Sequence, residues 1–260
     1  MLKAAVRERT SSFADQLRRS VSLVLGDYPR LYYPVMRRRE RYKELLISDE
    51  TEIVVEGYPR SGNTFAVAAL QFPQGQRLHI ARHTHSPAQI MEAVRRRLPT
   101  LVLVREPRDA GISLVIREPA VSLERALKRY RKYHRRIYDH RAGFVVATFS
   151  EVTSDFGPVV ARLNRGFGLV LTPFDHTASN CEAVFKIVED MERKTFAGIL
   201  REHRVARPSD ARSEPKARLT EAIQHAAYRS ILEDCDGLYR EFEALAHPRS
   251  DPIGMDGLGG

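Results

Sequence analysis

The passage that most constrains this chain runs from residue 52 to residue 70. A strand candidate, Glu52-Ile53-Val54-Val55-Glu56, leads into Gly57-Tyr58-Pro59-Arg60-Ser61-Gly62-Asn63-Thr64 and then into the helix-forming Phe65-Ala66-Val67-Ala68-Ala69-Leu70. β-Branched residues favour the strand and alanine and leucine the helix, while the two glycines allow backbone angles that other residues avoid. A strand that turns straight into a helix aims backbone N–H groups and a helix N-terminus at one point, an arrangement suited to an anion.

The loop matches the glycine and threonine positions of the phosphate-loop pattern G-x-x-x-x-G-K-[ST], with Asn63 where the lysine stands. Taken alone, it is equally an ordinary strand-to-helix turn. Arg60 is the residue within it that can restore the missing positive charge.

Three more strands are expected, at residues 77–81, 100–104 and 144–149, and helical spacing follows the second at 88–97. The run Thr100-Leu101-Val102-Leu103-Val104 is continuously apolar, as a strand covered on both faces requires. Strands separated by helices imply a parallel sheet with right-handed crossovers, whose ligands lie at the carboxyl ends of the strands. The expected fold is therefore a single three-layer α/β domain of the P-loop type, with a central parallel sheet flanked by helices and 53–56 as its central strand. A helix is expected at 158–167 and one long helix at 216–245. The domain should span 49–246, preceded by a helical layer over 1–48 with the basic residues Arg37, Arg38, Arg39 and Arg41, and followed by a loose tail over 247–260.

With 43% hydrophobic and 29% charged residues in 260, the composition is that of a globular protein with one core. No uncharged apolar run approaches the roughly 20 residues needed to cross a bilayer, so a cytoplasmic protein without a transmembrane segment is expected. Cys181 and Cys235 are the only cysteines, too few for a disulfide framework or a four-ligand zinc site. A formal charge of +9 favours anionic partners without choosing among them. Residues 123–141 place Leu123, Leu127, Tyr130, His134 and Ile137 on one helical stripe and most of their many basic residues elsewhere, which is a core-packed helix with a solvated face. No aromatic platform is interleaved with the basic runs, so nucleic acid is not expected as a partner.

Two motifs together resemble those of sulfotransferases that use 3′-phosphoadenosine 5′-phosphosulfate (PAPS). Tyr58-Pro59-Arg60-Ser61-Gly62-Asn63-Thr64-Phe65 is similar to that family's 5′-phosphosulfate loop. Arg105-Glu106-Pro107-Arg108-Asp109-Ala110-Gly111-Ile112-Ser113 resembles its 3′-phosphate motif, an arginine at a strand end with a serine eight residues on. The spacing has a physical reason: Arg105 is a fixed cation at the strand end, and a helix beginning near Pro107 carries Ser113 back towards the same phosphate.

By this resemblance Arg60, Ser61, Gly62, Asn63, Thr64 and Phe65 hold the 5′ side of PAPS, Arg105 and Ser113 its 3′-phosphate, and His85, in Thr84-His85-Ser86-Pro87, is the catalytic base, with His83 as rival. A neutral histidine suits that task, because its unperturbed pKa of about 6.5 lets it accept a hydroxyl proton near neutral pH. Arg60 would also steady the leaving group, and no metal is required. Phe65 stands where the family commonly has tryptophan, which this chain lacks altogether; a phenylalanine ring can still stack on adenine. The family's Arg-Lys-Gly-x-x-Gly loop is not present as such, and Arg207 and Arg212, with Lys216, offer cations in a comparable place.

The activity implied is transfer of a sulfuryl group from PAPS to a hydroxyl or amine of a small-molecule, carbohydrate or lipid head-group acceptor. A P-loop kinase or phosphotransferase is the competing reading, although it should carry the lysine missing at Asn63 and an acidic magnesium ligand where Arg105 stands. A non-catalytic nucleotide-binding protein is the third.

Overall fold

Four parallel strands form one sheet in the order β2-β1-β3-β4: β1 (Ile53–Gly57), β2 (Ile80–Arg82), β3 (Thr100–Val104) and β4 (Val145–Thr148). The computed structural model describes residues 25–195, 198–200, 202 and 205–247. The expected tail after residue 247 and the first 24 residues of the expected N-terminal layer lie outside the described residues.

Every residue of β1 and β3 is buried, because helices cover both faces of the sheet. Side chains alternate between faces along a strand. Ile53, Val55, Leu101 and Leu103 meet helices α2 (Asn63–Gln71), α7 (Gly157–Phe167) and α8 (Ala178–Thr195) through Phe65, Leu163 and Val184. On the other face, Val102 and Val104 pack with α4 (Pro107–Arg117), α5 (Leu123–Tyr138) and α10 (Arg229–Ala246). These are the three layers the sequence implied. The stripe Leu123, Leu127, Tyr130, His134 and Ile137 of α5 is buried throughout.

Helix α1 (Pro29–Met36) and the chain after it close the β2 side. Tyr32, Met36 and Ile47 pack on Val54 and Ala81 and on Ala88 and Ala93 of α3 (Pro87–Arg95), and the Arg82 N–H donates to the Leu45 carbonyl at 3.0 Å. Leu45 therefore lies beside the outer edge of β2.

Three expectations are corrected. Strand β2 is shorter and later than 77–81, since only Ile80–Arg82 pair with β1. Strand β4 stops at Thr148, where a capping box opens α6 (Phe149–Ser154): the Glu151 N–H donates to Thr148 Oγ1 at 3.2 Å and the Thr148 N–H to Glu151 Oε2 at 2.8 Å. The helix expected at 216–245 is two, α9 (Ser213–Ala222) and α10, because the first packs on α4 and the second mainly on α5 and β4. Among the described residues no helix is long and apolar enough to cross a membrane.

Candidate active site

From β1 the chain passes outward on one side to β2 and on the other to β3, so the carboxyl ends of β1 and β3 flank a topological switch point, where open parallel sheets bind ligands. Gly57 ends β1 because nothing larger fits: a Cβ there would lie 2.4 Å from the Leu103 carbonyl oxygen of β3. The buried Tyr58 ring anchors the loop, its hydroxyl donating to the Ala126 carbonyl at 2.8 Å. Arg60 (φ 74°) and Gly62 (φ 90°) take left-handed backbone angles that fold the loop onto the first turn of α2.

Asn63, in the lysine position of the phosphate-loop pattern, braces the loop instead: its Nδ2 donates to the Tyr58 carbonyl at 3.1 Å. Ser61 is fully buried, and its hydroxyl finds no hydrogen-bond partner among the described residues. The first amides of a helix have no intrahelical acceptor, and Gly62, Asn63 and Thr64 of this turn line a cleft of about 1880 Å³ across the strand ends.

Arg105 leaves β3 into the same cleft. Its Nη1 donates to the Arg60 carbonyl at 3.1 Å, its Nη2 pairs with Asp109 at 3.2 Å, and the guanidinium lies 4.0 Å above the Phe149 ring. Its Nε is buried without a partner among the described residues. Helix α4 starts at Pro107 and brings Ser113 back to the loop, where Arg60 Nε donates to Ser113 Oγ at 2.9 Å. The structure thus brings Arg60, Arg105 and Ser113 together. The pKa of Arg60 is pulled down to about 9, first by burial and then by the like charges of Arg117, Arg212 and Arg105. Like charges crowd it, with Glu192 opposing them.

The other nucleotide candidates differ among themselves. Phe65 borders the cleft but is 4% exposed, its ring held edge-on by Phe174 and against Phe185 within the core. Arg207 is held by Glu189 at 2.5 Å and by Glu202 at 2.9 Å. Arg212 donates to the carbonyls of Val205 and Arg207, and burial, then Arg207, lowers its pKa. Both arginines line the cleft.

His83 and His85 stand beyond the end of β2, both with left-handed backbone angles (φ 57° and 50°). A residue that sequence reasoning passed over holds this turn in place. Glu56, fully buried near the end of β1, accepts from the Thr84 N–H at 2.7 Å, the Thr84 hydroxyl at 2.9 Å and the His85 N–H at 3.0 Å. Burial raises the pKa of its carboxyl to about 7 against the pull of those donors. The sequence signal was a carboxylate closing an otherwise apolar strand.

His85 Nδ1 lies 2.9 Å from the Gly57 carbonyl, which can only accept, so Nδ1 carries the proton and Nε2 keeps its lone pair. Burial pulls the pKa of His85 down to about 4, with the hydrogen bond to Gly57 opposing and Arg117, Arg129 and Arg60 reinforcing. His83 falls to about 3 for the same leading reason, and among the described residues no hydrogen bond of its ring comparable to the His85–Gly57 contact fixes its tautomer. The two rings are 6.1 Å apart, so both face the same region of the cleft. Among the described residues no cluster of three or more histidine, cysteine or acidic side chains could hold a metal ion.

No family model and no curated protein matches the chain. Among solved structures, one similar to it is that of mouse sulfotransferase SULT7A1 complexed with PAP, at 14% sequence identity and a TM-score of 0.43, covering 76% of this chain and 95% of that one. The chain is a distant structural neighbour of that protein.

Proposed function

We propose that the protein is a PAPS-dependent sulfotransferase, acting on a hydroxyl or amine of an acceptor. The observation that carries this reading is the meeting of Arg60, Arg105 and Ser113 at the β1/β3 switch point, beside a histidine whose Nε2 lone pair is set by the Gly57 carbonyl. The cations would bind the two ends of a bisphosphate: Arg60 and the first amides of α2 the 5′ side, and Arg105 with Ser113 the 3′-phosphate. Thr64, Asn63 and Arg212 line the same cleft, and in this reading Thr64 and Asn63 border the 5′ side.

In the transfer, His85 Nε2 takes the acceptor proton as the acceptor atom bonds to sulfur, and the bond from sulfur to the bridging oxygen of the 5′-phosphate breaks in line. The electron pair of that bond leaves with the bisphosphate. Arg60 and the loop amides neutralise the charge arriving there, and the imidazolium gives its proton to water in the next step. Bound donor also offsets the arginine field that depresses His85, which brings its basicity closer to what the task needs.

The test is titration calorimetry of the purified chain in EDTA with adenosine 3′,5′-bisphosphate, compared with ATP and magnesium. Preferential, metal-free binding of the bisphosphate is expected. Binding of ATP with magnesium alone would replace this reading by a kinase-like one.

A further inference from the structure

The cleft does not end at the histidines. Strand β2 is the edge of the sheet with Leu45 beside it, and Arg39, Arg41 and Tyr42, shortly before Leu45 in the chain, line the same cleft. Small-molecule sites commonly occupy about 300–1000 Å³, so a cleft of about 1880 Å³ has room for an acceptor besides a nucleotide. The donor cations Arg60 and Arg105 lie at β1 and β3, and the far side of His85 is where an acceptor would stand.

The lining of the cleft mixes basic residues with Glu40, Glu44 and Glu118, and one of its cations is set apart. Helix α5 carries a dense row of basic residues, most of which are satisfied: Lys128 by Glu124 at 2.6 Å, Arg131 by Asp234 at 2.6 Å, Lys132 by Asp27, and Arg136 by the Asp27 carbonyl at 3.0 Å. Arg129, on the same helix, lines the cleft and has no hydrogen bond or ion pair among the described residues. Its charge acts on the His85 ring and on Tyr58 beneath the loop. Arg82, at the end of β2, adds a second partly buried cation next to the histidines; its Nη1 donates to the Ile80 carbonyl at 2.8 Å. A partly buried guanidinium without a partner among the described residues, on a helix most of whose other basic residues are paired, is a place suited to an anion.

We infer that the acceptor is itself anionic, a hydroxyl compound carrying a carboxylate or comparable fixed anion that Arg129 receives, with Arg82 adding to the field, while its hydroxyl faces His85. The word acceptor rests on the sulfotransferase reading; the anion site at Arg129 does not. Placing the substrate's charge there orients the hydroxyl and excludes neutral compounds of the same shape, which would leave the guanidinium desolvated and unpaired.

The probes are 4-hydroxyphenylacetate and its uncharged analogue 4-hydroxyphenylacetamide. Each is titrated into the full chain, both ligand-free and saturated with adenosine 3′,5′-bisphosphate, as wild type and as Arg129→Gln. The carboxylate should bind about tenfold more tightly than the amide to wild type, the yield of one charge-assisted hydrogen bond. In Arg129→Gln the preference should vanish while the bisphosphate binds as before. Equal binding of the two probes, binding of neither, or a variant that loses the bisphosphate instead of the carboxylate would each overturn the inference. If the bisphosphate fails to bind wild type, the donor assignment falls, and the comparison of probes on the ligand-free protein still decides the anion site.

Discussion

At the scale of single residues, the proposed reading gives Arg105 a role in binding and His85 one in turnover, and variants should separate them. Arg105 touches the loop, Asp109 and the Phe149 ring, and its buried Nε has no partner among the described residues. Arg105→Ala is expected to weaken adenosine 3′,5′-bisphosphate by about 30-fold and adenosine 5′-monophosphate only a few-fold, the difference being charge-assisted hydrogen bonds to one phosphate. Calorimetry checks it, and equal losses for both nucleotides would remove Arg105 from the 3′ end. His85→Ala should leave the bisphosphate affinity nearly intact and lower turnover about a hundredfold or more. Because burial holds the His85 pKa well below 6.5, the acid limb of kcat/KM should fall below pH 6.5; a limb above pH 7 would point to another base.

Among elements, legibility followed how much of the signal was local. Strands β1 and β3 could be read because continuous apolar runs are what a doubly covered strand requires, and β3 was placed to the residue. Edge strand β2 pairs over three residues only, too short for a periodic signal, and its end is set by the histidine turn that Glu56 holds. The box Thr148-Phe149-Ser150-Glu151 that ends β4 is a helix-start signature in plain view, read instead as the tail of a strand. Arg60, Arg105 and Ser113 were readable as a set because motif spacing encodes their meeting; Glu56 and Arg129 depend on tertiary packing that spacing does not carry. The anchoring of the loop is also an element-scale property. Tyr58 ties it to α5 by one buried hydrogen bond to a carbonyl that also lies in the helical ladder. Tyr58→Phe should therefore cost only about 1 kcal/mol in urea unfolding, while the loosened loop binds the bisphosphate several-fold more weakly. Unchanged affinity would mean that Gly57 and Asn63 suffice to shape the loop.

For the whole molecule, the chemistry of the site and the stability of the fold share one pH range. His134, on the buried stripe of α5, is 0% exposed and ringed by Tyr130, Tyr133 and Phe242; its Nδ1 meets the Tyr130 carbonyl at 2.9 Å and its Nε2 has no partner among the described residues. Burial lowers its pKa from 6.5 to about 4. A folded pKa below the unfolded one means that the stability tied to the neutral ring is complete above pH 6.5 and is lost as the pH falls towards 4, since the unfolded chain takes up the proton first. His83 and His85 act with the same sign, whereas Glu56, raised from 4.5 to about 7, acts with the opposite one and favours the fold as the pH drops through 7. His134→Leu isolates one contribution, because subtracting the variant from wild type cancels the groups they share. Between pH 7 and pH 5 the stability of the variant relative to wild type should rise by on the order of 2 kcal/mol, read from urea midpoints at the two pH values. A difference that stays constant across that interval would show that the ring takes up its proton in the folded protein as readily as in the unfolded chain, which the aromatic walls around it and the lack of a partner for Nε2 among the described residues both oppose.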